Sequence, residues 1–148
     1  MSQKINSSVF NSYLAGFLDG DGSIYVRAKP NSSYKYGYQV SPTVAFFQSV
    51  KNRTFLTLCK QIQFGKVRVR KDGIFEYTIS KQEEIKTFLE QLMPYLVLKQ
   101  DQAKLMQKIL DYKKHVRTVD DFKKLLVLIE SFRELNYSKK RKVRMLTP

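Results

Sequence analysis

The segment YLAGFLDGDGSI, residues 13–24, sets two carboxylates, Asp19 and Asp21, at the end of a run that reads as a helix. A carboxylate in the last helical turn meets the negative end of the macrodipole, which costs about 0.3 to 1 kcal/mol, so a compensating cation is expected there. Gly16 and Gly20 lie four residues apart and share a face, and with Ala15 they remove the bulk that would keep another backbone away. Each glycine costs the helix about 1 kcal/mol relative to alanine, so a packing reason is expected. A symmetric copy of the same helix supplies one. Two such helices crossing would contact each other through Ala15, Gly16, Asp19 and Gly20 and bring two copies of Asp21 together. Paired carboxylates suit a hard cation such as Mg²⁺, which takes oxygen ligands, waters and substrate phosphates, and phosphodiester hydrolysis needs such a cation to activate water and neutralise developing charge. Asp19 lies about 200° round the helix from Asp21, so the two cannot address one ion. Of the two, Asp21 is assigned to the metal and Asp19 to structure. A calcium-binding EF-hand is excluded, because Ile24 and Pro30 stand where its glycine and glutamate are required.

Little else in the chain carries chemistry. Cys59 is the one cysteine and His115 the one histidine, which excludes a disulfide framework and a Cys/His zinc site. Cys59 lies on the apolar side of FLTLCKQI and reads as core, whereas His115, in YKKHVR, reads as a solvated loop residue. Any reaction must run on carboxylates and amines.

The elements that position these groups follow from periodicity. Ser7 or Ser8 caps a first helix through VFNSYLAGFLDG, and Gly22 supplies the freedom to leave it. From Ser23 the period becomes two, with Ile24, Val26 and Ala28 opposite Tyr25, Arg27 and Lys29. PNSSYKYGY is a polar connector. YQVSPTVAFF reads as a second strand in which Gln39, Ser41 and Thr43 oppose Val40 and Val44, and Pro42 argues for an edge or a bulge. A helix from about Lys51 to Ile62 leads into the hairpin GKVRVRKDGIFEYTIS, turned at Asp72-Gly73, with Lys66, Arg68 and Arg70 opposite Val67 and Val69. Ser80 and Glu83 read as a capping box for a helix that closes near Pro94, and helices of about 99–113 and 119–135 follow. The expected fold is α+β, in the order α-ββ-α-ββ-α-α-α, with a four-stranded antiparallel, saddle-shaped sheet backed by helices. A single domain spans 1–137, and 138–148 is a basic tail expected to be mobile until it meets its partner.

The chain has 148 residues, 27 Lys and Arg against 13 Asp and Glu, a formal charge of +14 and an ordinary 43% hydrophobic content. A folded body this basic calls for a polyanion, with nucleic acid ahead of an anionic membrane. No apolar run approaches a membrane-spanning helix, and the N-terminus lacks a hydrophobic signal-peptide core, so no membrane partner is expected. The solvent face of the sheet gathers Tyr25, Arg27, Lys29, Gln39, Ser41, Thr43, Lys66, Arg68 and Arg70, with no carboxylate before Glu76. Side chains of these types read base edges and phosphates, and a twisted β-ribbon fits a major groove.

At these residues the sequence resembles the LAGLIDADG homing endonucleases, in particular the single-motif, homodimeric type encoded in chloroplast introns. YLAGFLDGDGS fits the family motif, and the likeness continues through KPNSSYK, VLKQDQA and NYSKKRK. The resemblance implies a homodimer held by the motif helices, which reads a long, near-palindromic duplex in the major groove and cuts it across the minor groove. It implies Asp21 as metal ligand, helped by the Gly20 carbonyl, with Mg²⁺ as cofactor and Mn²⁺ as the expected substitute. Gln48 and Lys99 match pocket residues that position the attacking water and stabilise charge at the scissile phosphate. Where relatives carry an arginine an ungapped match puts Asn52, flanked by Lys51 and Arg53, either of which completes the pocket if the helix start shifts. The matched base-reading positions are Tyr25, Arg27, Lys29, Asn31, Ser33, Tyr34, Gln39, Arg68 and Arg70, and Lys139, Lys140 and Lys142 of the tail are assigned to phosphates. Ala45 occupies a position that is polar in relatives, so a different target is expected. The family also implies an intracellular site of action, in a chloroplast or other organelle. An intron maturase, binding intron RNA on the same fold, is the alternative.

Overall fold

In the computed structural model, which describes residues 7–136, helix α1 (Ser8–Asp21) opens on Ser7, whose hydroxyl accepts the Phe10 N–H at 3.0 Å. It buries Phe10, Leu14, Ala15 and Leu18 and leaves Gly16 and Gly20 exposed. Ala15 is fully buried in its own subunit, so the expectation that it lies on the contact face with Gly16 and Gly20 is corrected. Gly22 is corrected too. Its φ of −87° and ψ of 173° are open to any residue, and the requirement is space, since a Cβ would meet the Leu18 Cα at 2.9 Å.

Strands β1 (Ser23–Pro30), β2 (Tyr38–Ser49), β3 (Lys66–Val69) and β4 (Ile74–Ile79) form one antiparallel sheet in the order β1-β2-β4-β3. Pro42 lies at a local edge of the sheet, as expected, although β2 is an inner strand further along and pairs in regular register without a bulge. The proline is tolerated because β4 joins only from Val44, so that Pro42, opposite Val26, has a neighbouring strand on one side alone. The β3–β4 hairpin turns as expected at Asp72-Gly73, with Gly73 at φ +79° and its N–H on the Arg70 carbonyl at 3.2 Å.

Ile24, Val26, Val44, Phe46, Phe75, Tyr77 and Ile79 share the core face of the sheet, as alternation requires. Against that face pack α1, α2 (Thr54–Ile62), α3 (Gln82–Leu92), α4 (Gln100–Lys114) and α5 (Val119–Glu130). The α+β order thus stands, with a 3-10 turn at Met93–Tyr95 and a short α6 (Phe132–Leu135) added. The expected helix 119–135 is divided at Ser131, which keeps helical angles and whose N–H, at 3.1 Å, and hydroxyl, at 3.0 Å, share the Val127 carbonyl. The capping box moves as well. Lys81, not Ser80, caps α3 and makes no side-chain bond, and the start is supported by Glu83 and Glu84 at the positive end of the dipole. A capping box does form at α5, where Thr118 accepts the Asp121 N–H at 3.1 Å and the Asp121 carboxylate accepts the N–H groups of Thr118 and Arg117. The Arg117 N–H, first among these bonds, holds the Asp121 carboxyl below its usual range.

Cys59 is buried as expected, and burial pushes its thiol up to about 12. At pH 8 that lowers the thiolate fraction by about three orders of magnitude relative to an exposed cysteine. Alkylation of the native protein should therefore be slower by that factor than alkylation in denaturant. Equal rates in a stopped-time iodoacetamide assay would contradict the packing described for α2.

Candidate active site and nucleic-acid face

The two carboxylates that end α1 have opposite environments. Both oxygens of Asp19 are engaged within the subunit: Oδ2 accepts the Val97 N–H and Oδ1 the Lys99 N–H, each at 2.9 Å. The Lys99 ammonium returns to α1, with Nζ donating to the Asp19 carbonyl at 2.8 Å. The cation expected beside the acidic helix end is thus Lys99, together with the N-terminal amides around α4. Asp21 is exposed and its carboxylate has no hydrogen-bond or ion-pair partner among the described residues.

Asp21 opens onto a cleft of about 750 Å³ lined also by Tyr13, Gly16, Phe17, Gln48, Asn52 and Phe55. Its apolar wall is an aromatic cluster in which Phe17 lies 5.0 Å from Phe46 and 6.3 Å from both Tyr13 and Phe55. Gln48 is on the core-face register of β2, opposite Phe75, at the end of the strand that approaches α1. Its Oε1 accepts the Ser49 N–H at 3.0 Å, which leaves the amide NH₂ to donate elsewhere. Of the three residues that competed for the remaining pocket position, Asn52 lines this cleft. Arg53 sits over the Phe75 ring, 5.8 Å from its centroid, and the backbone of Lys51 is fixed by the Ser49 hydroxyl at 3.2 Å.

The solvent face of the sheet is laid out by the ladder. Tyr25 is opposite Thr43, Arg27 opposite Ser41 and Lys29 opposite Gln39, so six of the expected base-reading side chains share one face. The Arg27 guanidinium stacks 5.1 Å over the Tyr25 ring. Lys66 and Arg68 continue the face on β3, opposite Thr78 and Glu76. Glu76 was not singled out as a site residue, although period-two alternation of Phe75, Glu76 and Tyr77 signals its side. It pairs with Arg68, and Arg70 pairs with Asp72 at 2.8 Å, so Arg27, Lys29 and Lys66 are the face cations without a carboxylate partner among the described residues. Exposed ion pairs of this kind add little stability, and their consequence is orientation of the guanidinium.

The connector between β1 and β2 is ordered. The Asn31 side chain accepts the Ser33 N–H at 3.0 Å and its hydroxyl at 2.7 Å, an Asx turn that leaves Tyr34 exposed. Tyr36, which no sequence signal singled out, anchors the loop by stacking on Phe122 of α5 at 5.0 Å. Lys139, Lys140 and Lys142 lie outside the described residues. Among the described residues no helix is long and apolar enough to cross a membrane.

Residues 14–119 match the LAGLIDADG endonuclease family. The chain is 40% identical over 144 residues to DNA endonuclease I-CreI of Chlamydomonas reinhardtii, covering 96% of this chain and 87% of that one. It is 38% identical over 99 residues to DNA endonuclease I-CvuI of Chlorella vulgaris, covering 66% and 62%. The fold superposes on the crystal structure of I-CvuI in complex with its target in the presence of calcium, with a TM-score of 0.84 and 32% identity over 91% of this chain and 87% of that one. An archaeal intron-encoded homing endonuclease, I-Vdi141I, shares the fold with a TM-score of 0.77 at 19% identity, covering 91% of this chain and 87% of that one.

Proposed function

The chain belongs to the LAGLIDADG endonuclease family, and from that premise we propose that it cuts duplex DNA as a homodimer, at a long, near-palindromic site, with Asp21 of each subunit at the metal. It is a site-specific DNA endonuclease of the homing type. The observation that carries the metal assignment is the contrast at the end of α1: Asp19 is saturated by its own subunit, while Asp21 is exposed, unpartnered among the described residues, and faces the cleft with Gln48 and Asn52. One exposed carboxylate and the neighbouring Gly20 carbonyl are too few donors for a closed metal site, and no cluster of three or more metal-binding side chains exists among the described residues. That donor set fits Mg²⁺, which keeps waters and takes substrate phosphate oxygens. Bound there, the cation would supply Lewis-acid stabilisation and a more acidic water. Mn²⁺, with the same preference for oxygen, is the expected substitute.

The residues of the chain have distinct tasks in this reading. Gln48, with its NH₂ group unclaimed by the backbone, holds the attacking water in the cleft. Lys99 holds positive charge beside the helix end where phosphate charge develops. Asn52 takes the remaining pocket position, so Lys51 and Arg53 act on the phosphate backbone instead. The sheet face reads the bases, with Arg68 presented by Glu76 and the 31–34 turn carried on the Tyr36–Phe122 stack. Lys139, Lys140 and Lys142 of the basic tail are assigned to phosphates.

The dimer reading rests on α1. A Cβ at Gly16 or Gly20 would meet nothing within 4 Å among the described residues of the subunit, so no contact there requires either glycine. Val9 and Tyr13, 69% and 56% exposed, continue the stripe of Gly16 and Gly20 along the helix. Such a face is explained by a second copy.

The test is cleavage of a plasmid pool carrying near-palindromic inserts, with Mg²⁺ or with chelator. Double-strand breaks that require the metal are expected. Tight binding to intron RNA, with no cleavage under any divalent cation, would transfer the chain to splicing. Binding should also weaken with salt, with a slope of about −0.9 per phosphate neutralised. A flat dependence would contradict the role given to the basic face.

A further inference from the structure

We propose that Asp19 is the positioning residue for Lys99: it fixes the 97–99 turn to the end of α1, so that the Lys99 ammonium is held within two residues of Asp21. The inference deepens the endonuclease reading and rests on it. Three bonds close the link across some eighty residues of sequence, the two backbone N–H groups on the carboxylate and Nζ on the Asp19 carbonyl. Among the described residues no other side chain hydrogen-bonds to residues 97–99. Val97 and Leu98 are 78% and 73% exposed, so packing does not fix them, and the nearest buried anchor is Leu96. Lys99 is also the N-cap of α4, with φ −108° and ψ 20° and no side-chain capping bond of its own, while its carbonyl accepts the Ala103 N–H at 3.0 Å. Asp19 of α1 accepts the N–H of this N-cap residue, one of the amides at the helix start that has no partner within the helix.

One carboxylate therefore performs two connected tasks. It engages amides at the start of α4, and by doing so it sets where the Lys99 side chain begins. From that origin Nζ reaches the last turn of α1 instead of solvent. Asp19 touches neither substrate nor metal in this account; it acts through Lys99. The two acidic residues of the motif thus divide the labour, Asp21 on the metal and Asp19 on the ammonium beside it.

Two measurements on the full-length protein test this. In single-turnover cleavage, Asp19→Asn should slow the reaction by about 10- to 100-fold, the scale of a small misplacement of a reacting group. Affinity for the uncut site in Ca²⁺ should change by no more than about twofold, and in a Lys99→Ala background the same substitution should cost no more than about twofold in rate, because the positioned group is already gone. A purely structural Asp19 would instead slow both backgrounds alike, and that result, or no slowing in either, overturns the proposal. The second measurement does not depend on activity. The ¹⁵Nζ resonance of Lys99, assigned with Lys99→Arg, should move to the position of solvent-exposed lysines in Asp19→Asn while other lysines stay in place. An unmoved resonance overturns the proposal even if wild-type protein cuts nothing, whereas absence of wild-type cleavage counts against the endonuclease reading alone. If Asp19→Asn does not fold, Asp19→Ser, which keeps one acceptor oxygen, should show the same non-additivity and the same shift to a smaller degree.

Discussion

Asp21→Asn is expected to abolish metal-dependent cleavage while leaving DNA binding intact. The carboxylate is exposed and has no partner among the described residues, so its replacement breaks no hydrogen bond and leaves no buried charge. The stability and the fold of α1 should be unchanged. A metal contributes several kcal/mol to the stabilisation of a phosphoryl-transfer transition state, and each 1.36 kcal/mol is tenfold in rate, so a loss of roughly three orders of magnitude or more follows. Binding should hold or tighten slightly, because the substitution removes a negative charge facing the phosphate backbone. Gel-shift titration in Ca²⁺ and single-turnover cleavage in Mg²⁺, on the same duplex, separate the two effects. Cleavage within tenfold of wild type would remove Asp21 from the metal.

Substituting leucine at both Gly16 and Gly20 should split the dimer without unfolding the subunit. Each position is exposed, and a Cβ there would meet no atom within 4 Å among the described residues, so the side chains can extend into solvent in the monomer. Leucine is also the better helix former, by somewhat under 1 kcal/mol at each site, and the isolated subunit should gain stability. In a dimer the same side chains stand between two helix backbones. Overpacking of about 1 to 3 kcal/mol at each site, repeated across a two-fold axis, amounts to roughly two orders of magnitude or more in the dimer dissociation constant. Sedimentation velocity over a concentration series reads this directly, with thermal unfolding as the control. A double variant that stays dimeric at the wild-type dissociation constant would place the interface elsewhere.

Local sequence carried most of the fold because its strongest signals are local. The motif helix, the period-two strands and the Asp72-Gly73 turn are each specified within about ten residues, and each formed where its pattern lay. The errors arose where a distant partner or a backbone detail decides. Pro42 did mark a local edge, but that the edge arises inside an inner strand, because β4 joins β2 only from Val44, was not legible. Ser80 matched the spacing of a capping box, but the N-cap is one residue later, at Lys81, and the helix begins at Gln82. The division of the last long helix at Ser131 is a backbone detail that periodicity does not register.

The site shows the same division. The sequence placed Asp19 and Asp21 on different sides of the end of α1, and the structure finds Asp21 exposed there and Asp19 bonded within the subunit. What Asp19 bonds to was not legible, since its partners, Val97 and Lys99, lie about eighty residues away. Asn52, Lys51 and Arg53 could not be separated from spacing because they are consecutive, and only the three-dimensional path of the chain into α2 turns Asn52 toward the cleft. Glu76 needed the β3–β4 register before its pairing with Arg68 emerged.

The central claim is that one Asp21 is half of a site completed by a second copy of the chain. Sequencing of the duplexes cut from a randomised near-palindromic library in Mg²⁺ tests that claim most directly. The account predicts that the recovered sites share a two-fold symmetric consensus, centred on the break, with base preferences confined to two equivalent half-sites. Recovered sites that carry a single unsymmetric half-site, with the break at one end, would contradict it.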